Sequence, residues 1–214
     1  MAKKKSNKFK DDAVSNQIIS KYGGIIQSGE EVLEKLETFN TLSISPSLDI
    51  ALGGGIREGN CVIVGGEPKT GKTTTTLHFA SKCQALGKNI IYFNTEGRMT
   101  KENFTGIKGF DPKKVKIVQA TDEQPLVSAE MYLNALETYV KNTPDLVAIV
   151  DSVSSMVPQE ELEGEIRTGV RNSLPRLMSM FLKRISGDVS RTKAILIFIL
   201  HNISNTGGSR WAPA

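Results

Sequence analysis

From position 42 onward the chain alternates short apolar runs with longer amphipathic stretches. The runs at residues 61–64, 90–93, 115–118, 146–150 and 194–200 are short and largely without charge, as expected of buried strands. Between them, residues 72–86, 124–141 and 174–189 place apolar side chains at intervals of three and four, the period of a helix that packs on one face. Strands joined by helices of this length require crossover connections, which are right-handed, so the pattern predicts an α/β fold with a mainly parallel central sheet flanked by helices. Ligands of such sheets bind at the carboxyl ends of the strands. Before position 42 the pattern differs. Val14, Ile18, Ile19 and Tyr22, then Val32, Leu33 and Leu36, sit at helical spacing on either side of Gly23-Gly24. This predicts a helical N-terminal arm, residues 1–41 with its basic tail, ahead of a core at 42–214.

Composition narrows the class. With 214 residues, 39% hydrophobic and 23% charged, the chain is ordinary globular material with enough apolar content for one sizeable core. No run approaches the ~20 apolar residues of a membrane span. The start, Met1-Ala2-Lys3-Lys4-Lys5, has charge without the apolar segment of a secretory signal, so the expected location is the cytoplasm, with no membrane partner. Cys61 and Cys83 show neither Cys-x-x-Cys nor zinc spacing, and both read as core thiols. A net charge of +4 permits a nucleotide or nucleic-acid partner without requiring one. Five lysines (3, 4, 5, 8 and 10) fall in the first ten residues, a polar block expected to be mobile because it buries too little to offset its chain entropy.

The most specific signal is Gly66-Glu67-Pro68-Lys69-Thr70-Gly71-Lys72-Thr73, a full match to G-x-x-x-x-G-K-[ST], directly after one predicted strand and directly before one predicted helix. In that context the glycines let backbone N–H groups turn toward phosphate oxygens, and the helix N-terminus, running on through Thr74, adds partial positive charge. Lys72 is then placed for the terminal phosphates and the Thr73 hydroxyl for Mg²⁺. A bridging cation also needs an acidic group at the end of a neighbouring strand, and Asp151, after the apolar run 146–150, supplies it. Hydrolysis further needs a group that orients or deprotonates water; Glu96, at the end of another strand, is the candidate general base. Glu67 is nearer in sequence, but its side chain is expected to point away from a cradle made of backbone amides. Arg167, Arg171 and Arg176 lie in a Gly-containing, otherwise unpatterned stretch and are suited to neutralising phosphates.

In this order the motifs resemble the RecA/RadA recombinase family, from about residue 42 to 208, with a P-loop NTPase core. Ser45-Pro46-Ser47-Leu48-Asp49-Ile50-Ala51-Leu52-Gly53 is similar to the segment before that family's first core strand. Asn94-Thr95-Glu96 resembles its catalytic-glutamate strand end, and Val150-Asp151-Ser152-Val153 its Walker B strand. Glu161-Leu162-Glu163-Gly164-Glu165-Ile166 is similar to the start of its first DNA-binding loop. The resemblance implies basic contacts to DNA at Arg176 and Lys183, and puts Arg171 where the family usually has an apolar side chain. It implies a nucleotide sensor at His201, where bacterial members have glutamine. It also implies a second DNA loop opening at 203–208, so that Asn202, Ser204, Gly207 and Gly208 join the candidate DNA contacts. The family's adenine-stacking tyrosine is replaced by Asn103, with Phe104 beside it.

The activity implied is that of a DNA-dependent ATPase, with ATP and Mg²⁺ as cofactors. It would form a helical homo-oligomeric filament on single-stranded DNA and then pair it with duplex DNA for strand exchange in recombination and repair. The same core also serves accessory ATP-binding modules and hexameric helicase motors, which stand as alternatives; a small-molecule kinase would need a lid with paired arginines. Members of the family continue past the point corresponding to Ala214, so the core is expected to be incomplete at its C-terminus. The strand at 194–200 is then expected to leave an open sheet edge, an aggregation risk.

Overall fold

The structure, a computed structural model, describes residues 12–163 and 173–201. The chain divides into two units, Met1–Asn40 and Thr41–Ala214. In the first, helix α1 (Ala13–Tyr22) is capped by Asp12, whose carboxylate accepts from the Ser15 amide at 2.8 Å, and stops at Gly23. Helix α2 (Gly29–Glu37) opens on a reciprocal capping box between Ser28 and Glu31. Neither helix contains a buried residue, so capping rather than burial marks their ends.

The second unit begins with a two-stranded antiparallel ribbon, β1 (Thr41–Leu42) against β2 (Ile56–Arg57), separated by helix α3 (Pro46–Leu52). Strand β3 (Cys61–Gly66), helix α4 (Lys72–Ala85), strand β4 (Asn89–Asn94), the short helix α5 (Lys101–Thr105) and strand β5 (Val115–Val118) come next. The described chain closes with helix α6 (Ala129–Asn142), strand β6 (Leu146–Asp151), the short α7 (Gln159–Glu163), helix α8 (Leu174–Thr192) and strand β7 (Ile195–His201). Strands β3 to β7 form one sheet in the order β3-β7-β6-β4-β5, every pairing parallel. The α/β architecture read from the hydrophobic pattern is thus the observed one. All six residues of β6 are buried, which a strand covered on both faces requires and which explains its lack of alternation. One face of the sheet packs Ile91, Phe93 and Phe198 against α6 and α8 through Leu136, Phe181 and Ile185. The other packs Tyr92, Ile149 and Ile197 against Leu77 and Phe79 of α4.

Three expectations are corrected. The strand expected at an open edge, now β7, lies between β3 and β6, because the crossover through α8 carries the chain back past β6 to the side where β3 already stands. Among the described residues the edge on that side of the sheet belongs instead to β3, whose Ile63 is 64% exposed. A groove of about 440 Å³ runs there from Cys61 and Ile63 to Leu174, Met178 and Leu182. For the same reason Cys61 is exposed and only Cys83 is a core thiol. Lastly, the helix expected from residue 124 starts at Ala129, after Pro125, where the Ser128 hydroxyl takes the Met131 amide as its N-cap.

Candidate functional site

The loop between β3 and α4 is shaped by local chemistry. Gly71 takes φ +88° and opens α4 with no side-chain cap, leaving the amides of the first turn without a covering side chain. A Cβ on Gly66 would stand 3.2 Å from the Thr70 hydroxyl oxygen and 3.7 Å from Cδ of Lys72, so a side chain there would press on the Thr70 hydroxyl that closes the loop. Thr70 donates to the Glu67 carbonyl at 2.8 Å. The Lys72 ammonium, on a side chain that is largely buried, donates to the carbonyls of Gly66 at 2.9 Å and Glu67 at 2.8 Å. The lysine is therefore folded over the loop's own backbone, where an anion would compete for it.

Beside this loop the register brings three strand ends together. His201, the last residue of β7, pairs with Gly66, and Asp151, the last of β6, pairs with Asn94. Past Asn94 the chain is tied to β6 by the Thr95 amide and hydroxyl, which donate to the carbonyls of Asp151 and Ser152. Single ligand atoms of Glu96, Asp151 and His201 consequently lie within 4.8 Å of one another. Thr73 donates its hydroxyl to Asp151 Oδ2 at 2.6 Å, which joins the loop to the cluster. Tyr92 donates to that same oxygen, also at 2.6 Å.

Glu96 is held through one oxygen. Its Oε1 accepts from Ser152 Oγ at 2.7 Å, Ser155 Oγ at 3.1 Å and His201 Nε2 at 2.6 Å. Oε2 faces the exposed Arg98 at 3.7 Å. Burial alone pushes the Glu96 carboxyl up, but the bonds from Ser152, His201 and Ser155 outweigh it and hold the group below its usual range. An ionised carboxylate only accepts, so Nε2 of His201 carries the hydrogen of this bond, and the buried Nδ1 has no partner among the described residues. Tyr92 titrates far above its usual range, pushed up by burial and by the negative charge of Asp151. A cavity of about 110 Å³ lies against Thr73, Tyr92, Glu96 and Asp151.

The other expected site residues divide. Thr74 is in the first turn of α4, directly after Thr73. Arg176 and Lys183 are exposed on α8, about two turns apart and so on one side of the helix. Arg167, Arg171, Asn202, Ser204, Gly207 and Gly208 lie outside the described residues, as does the lysine-rich start. Asn103 caps α5 by accepting from the Thr100 amide at 2.7 Å, while the Phe104 ring lies 6.1 Å from that of Phe110, so both have structural partners.

Sequence reasoning missed Tyr92, Ser154 and Ser155, and gave Ser152 no role. Tyr92 read as one apolar residue in a strand; the available signal was that it sits two positions before Asn94, on the same face, with its polar tip toward the strand end. Ser154 accepts from the His201 amide at 3.2 Å, a contact between β7 and the turn after β6 that no local pattern announces.

Compared with known proteins, residues 11–208 match the family model of the RecA N-terminal domain. The chain belongs to the RecA family. Among curated relatives, Protein RecA of Roseiflexus castenholzii (strain DSM 13941 / HLO8) is 34% identical over 195 residues, covering 87% of this chain and 52% of the relative. Protein RecA of Chloroherpeton thalassium (strain ATCC 35110 / GB-78) is 33% identical over 178 residues, 83% of this chain and 47% of the relative. Protein RecA of Prochlorococcus marinus (strain MIT 9515) is 30% identical over 203 residues, 92% of this chain and 52% of the relative. The chain spans about half the length of the RecA relatives it matches. Among the described residues, no helix is long and apolar enough to cross a membrane.

Proposed function

We propose that this chain is the ATPase core of a single-stranded DNA-binding recombinase that promotes homologous pairing and strand exchange, working in the cytoplasm. The observation that carries the reading is the convergence of Thr73, Asp151, Glu96 and His201 beside an uncapped helix N-terminus and the buried Lys72. Loop residues 66–74 receive the phosphates of ATP through backbone amides, and Lys72 exchanges its carbonyl partners for phosphate oxygens. Thr73 and Asp151, a hydroxyl and a carboxylate already in contact, form an oxygen donor set suited to Mg²⁺. The ion supplies charge neutralisation across the phosphates when bound. Glu96 orients and deprotonates the attacking water through Oε2, since Oε1 is committed to Ser152, Ser155 and His201. His201 couples that carboxylate to the end of β7, where the chain continues toward Asn202, Ser204, Gly207 and Gly208, and so links the nucleotide state to DNA. Arg176 and Lys183, with Arg167 and Arg171, neutralise DNA phosphates. The helical arm of residues 1–41 joins neighbouring copies in a filament on single-stranded DNA, which then takes up duplex DNA.

A second reading, an accessory ATP-binding module without strand exchange, uses the same loop and strand-end residues, which serve ATP whether or not DNA is bound. The ATPase rate with and without single-stranded DNA, over a salt series, separates the two. Stimulation that fades as salt rises is expected of the recombinase, because each phosphate contact steepens the salt dependence. A folded chain that hydrolyses ATP and ignores DNA favours the accessory module. A chain that does not bind ATP ends both readings.

A further inference from the structure

Tyr92 has no part in the chemistry just described, yet its hydroxyl is at the centre of the site. The ring is 2% exposed and belongs to the apolar cluster that packs on α4, where a phenylalanine would fill the same space. Only the hydroxyl leaves that cluster, to meet Asp151 Oδ2 at 2.6 Å, the short range of an O–H···O⁻ bond. Thr73 donates to the same oxygen, so both bonds restrain one side of the carboxylate and leave Oδ1 to other partners. The two donors differ in what else they must do. Thr73 stands in the first turn of α4 and is asked to offer its oxygen to a cation. Tyr92 is fixed by its strand, with Ile149 opposite it in the register and Asp151 two residues further along β6.

We infer that Tyr92 is a positioning residue: its buried hydroxyl fixes the Asp151 carboxylate through Oδ2, so that the carboxylate keeps its orientation toward a divalent cation when the Thr73 oxygen is drawn to that ion through a lone pair. The inference rests on the proposed role of Thr73 and Asp151 in holding Mg²⁺. Partners of this kind orient metal ligands, and their loss weakens metal binding by about 10- to 100-fold.

The test is the equilibrium binding of a fluorescent ATP analogue to the wild-type chain and to Tyr92→Phe, first in EDTA and then over a Mg²⁺ titration. Tyr92→Phe is expected to bind the analogue in EDTA as the wild type does, and to need about tenfold more Mg²⁺ for half of the metal-dependent tightening. An unchanged Mg²⁺ midpoint in Tyr92→Phe, where the wild type does respond to Mg²⁺, overturns this inference alone. Equal loss with and without Mg²⁺ overturns it too, since it marks the hydroxyl as part of the fold only. A wild type whose analogue binding ignores Mg²⁺ overturns the proposed metal site and this inference with it. If Tyr92→Phe does not fold, as judged by circular dichroism, the Tyr92 hydroxyl proton of the wild type is followed by NMR instead. A shift of that resonance when Mg²⁺ is added to the nucleotide complex upholds the role, and an unmoved resonance overturns it.

Discussion

The loop at residues 66–73 and the strand-end cluster face each other across one hydrogen bond, Thr73 to Asp151, yet they are built in opposite ways. Residues 66–73 are contiguous, and their contacts run within the loop: Thr70 to the Glu67 carbonyl, Lys72 to Gly66 and Glu67. Glu96, Asp151 and His201 arrive from three strands, and the contacts of Glu96 span 56 to 105 positions of sequence. A loop of backbone amides needs a turn and a helix start, which neighbouring residues can specify. A cluster of side chains needs a sheet whose register sets its strand ends level. On the proposed function, the loop acts on nucleotide binding and the cluster on the hydrolytic step after it.

Substitutions on the two sides test that division. The largest effect is expected from Lys72→Ala, which removes the ammonium folded over the loop and should weaken binding of ATP about a hundredfold, ~2.7 kcal/mol by isothermal titration. Nucleotide affinity that survives this change intact would break the comparison at its first term. Next in size, Glu96→Gln should lower the rate of hydrolysis by roughly 10²-fold or more while affinity stays within about threefold, the pattern of a group that acts after binding. Parallel loss of rate and affinity in a single-turnover assay would show that the cluster also builds the binding surface.

The smallest effect concerns stability. The Glu96 carboxyl is held below its ordinary value of 4.5 in the folded chain, so its bonds to Ser152, Ser155 and His201 contribute fully above that value and are lost as pH falls through the depressed one. Thermal unfolding of the wild type should therefore lose more of its midpoint between about pH 5 and 3 than that of Glu96→Gln, which has no such proton to take up. Equal slopes for the two would mean that the three bonds to Oε1 do not outweigh the burial of the charge.

Much of the sheet could be read from the chain because its strands are covered on both faces, and double cover writes itself as an unbroken apolar run. Strand β6 is the clearest instance, buried at every position. The same rule misled at β3. Its run Cys61-Val62-Ile63-Val64 reads as interior, yet Ile63 is 64% exposed, since an apolar run reports the chemistry of a strand and not its rank in the sheet. Val115–Val118, the opposite edge, is four residues long and carries Lys116 in its middle, features that discourage further pairing.

By itself, the sequence determined the turn at 66–73, the helix behind it, the α/β alternation and the strand-end places of Asp151 and Glu96, because each depends on residues near in the chain or on a period within one element. Only the tertiary structure decided that His201 meets Glu96, that Ser152 and Ser155 share its oxygen, that Tyr92 and Thr73 share one oxygen of Asp151, and that β3 rather than β7 is the outer strand. Those contacts arise from strand order and register, which are fixed by how helices of the two layers pack on the sheet, a property of many residues acting together.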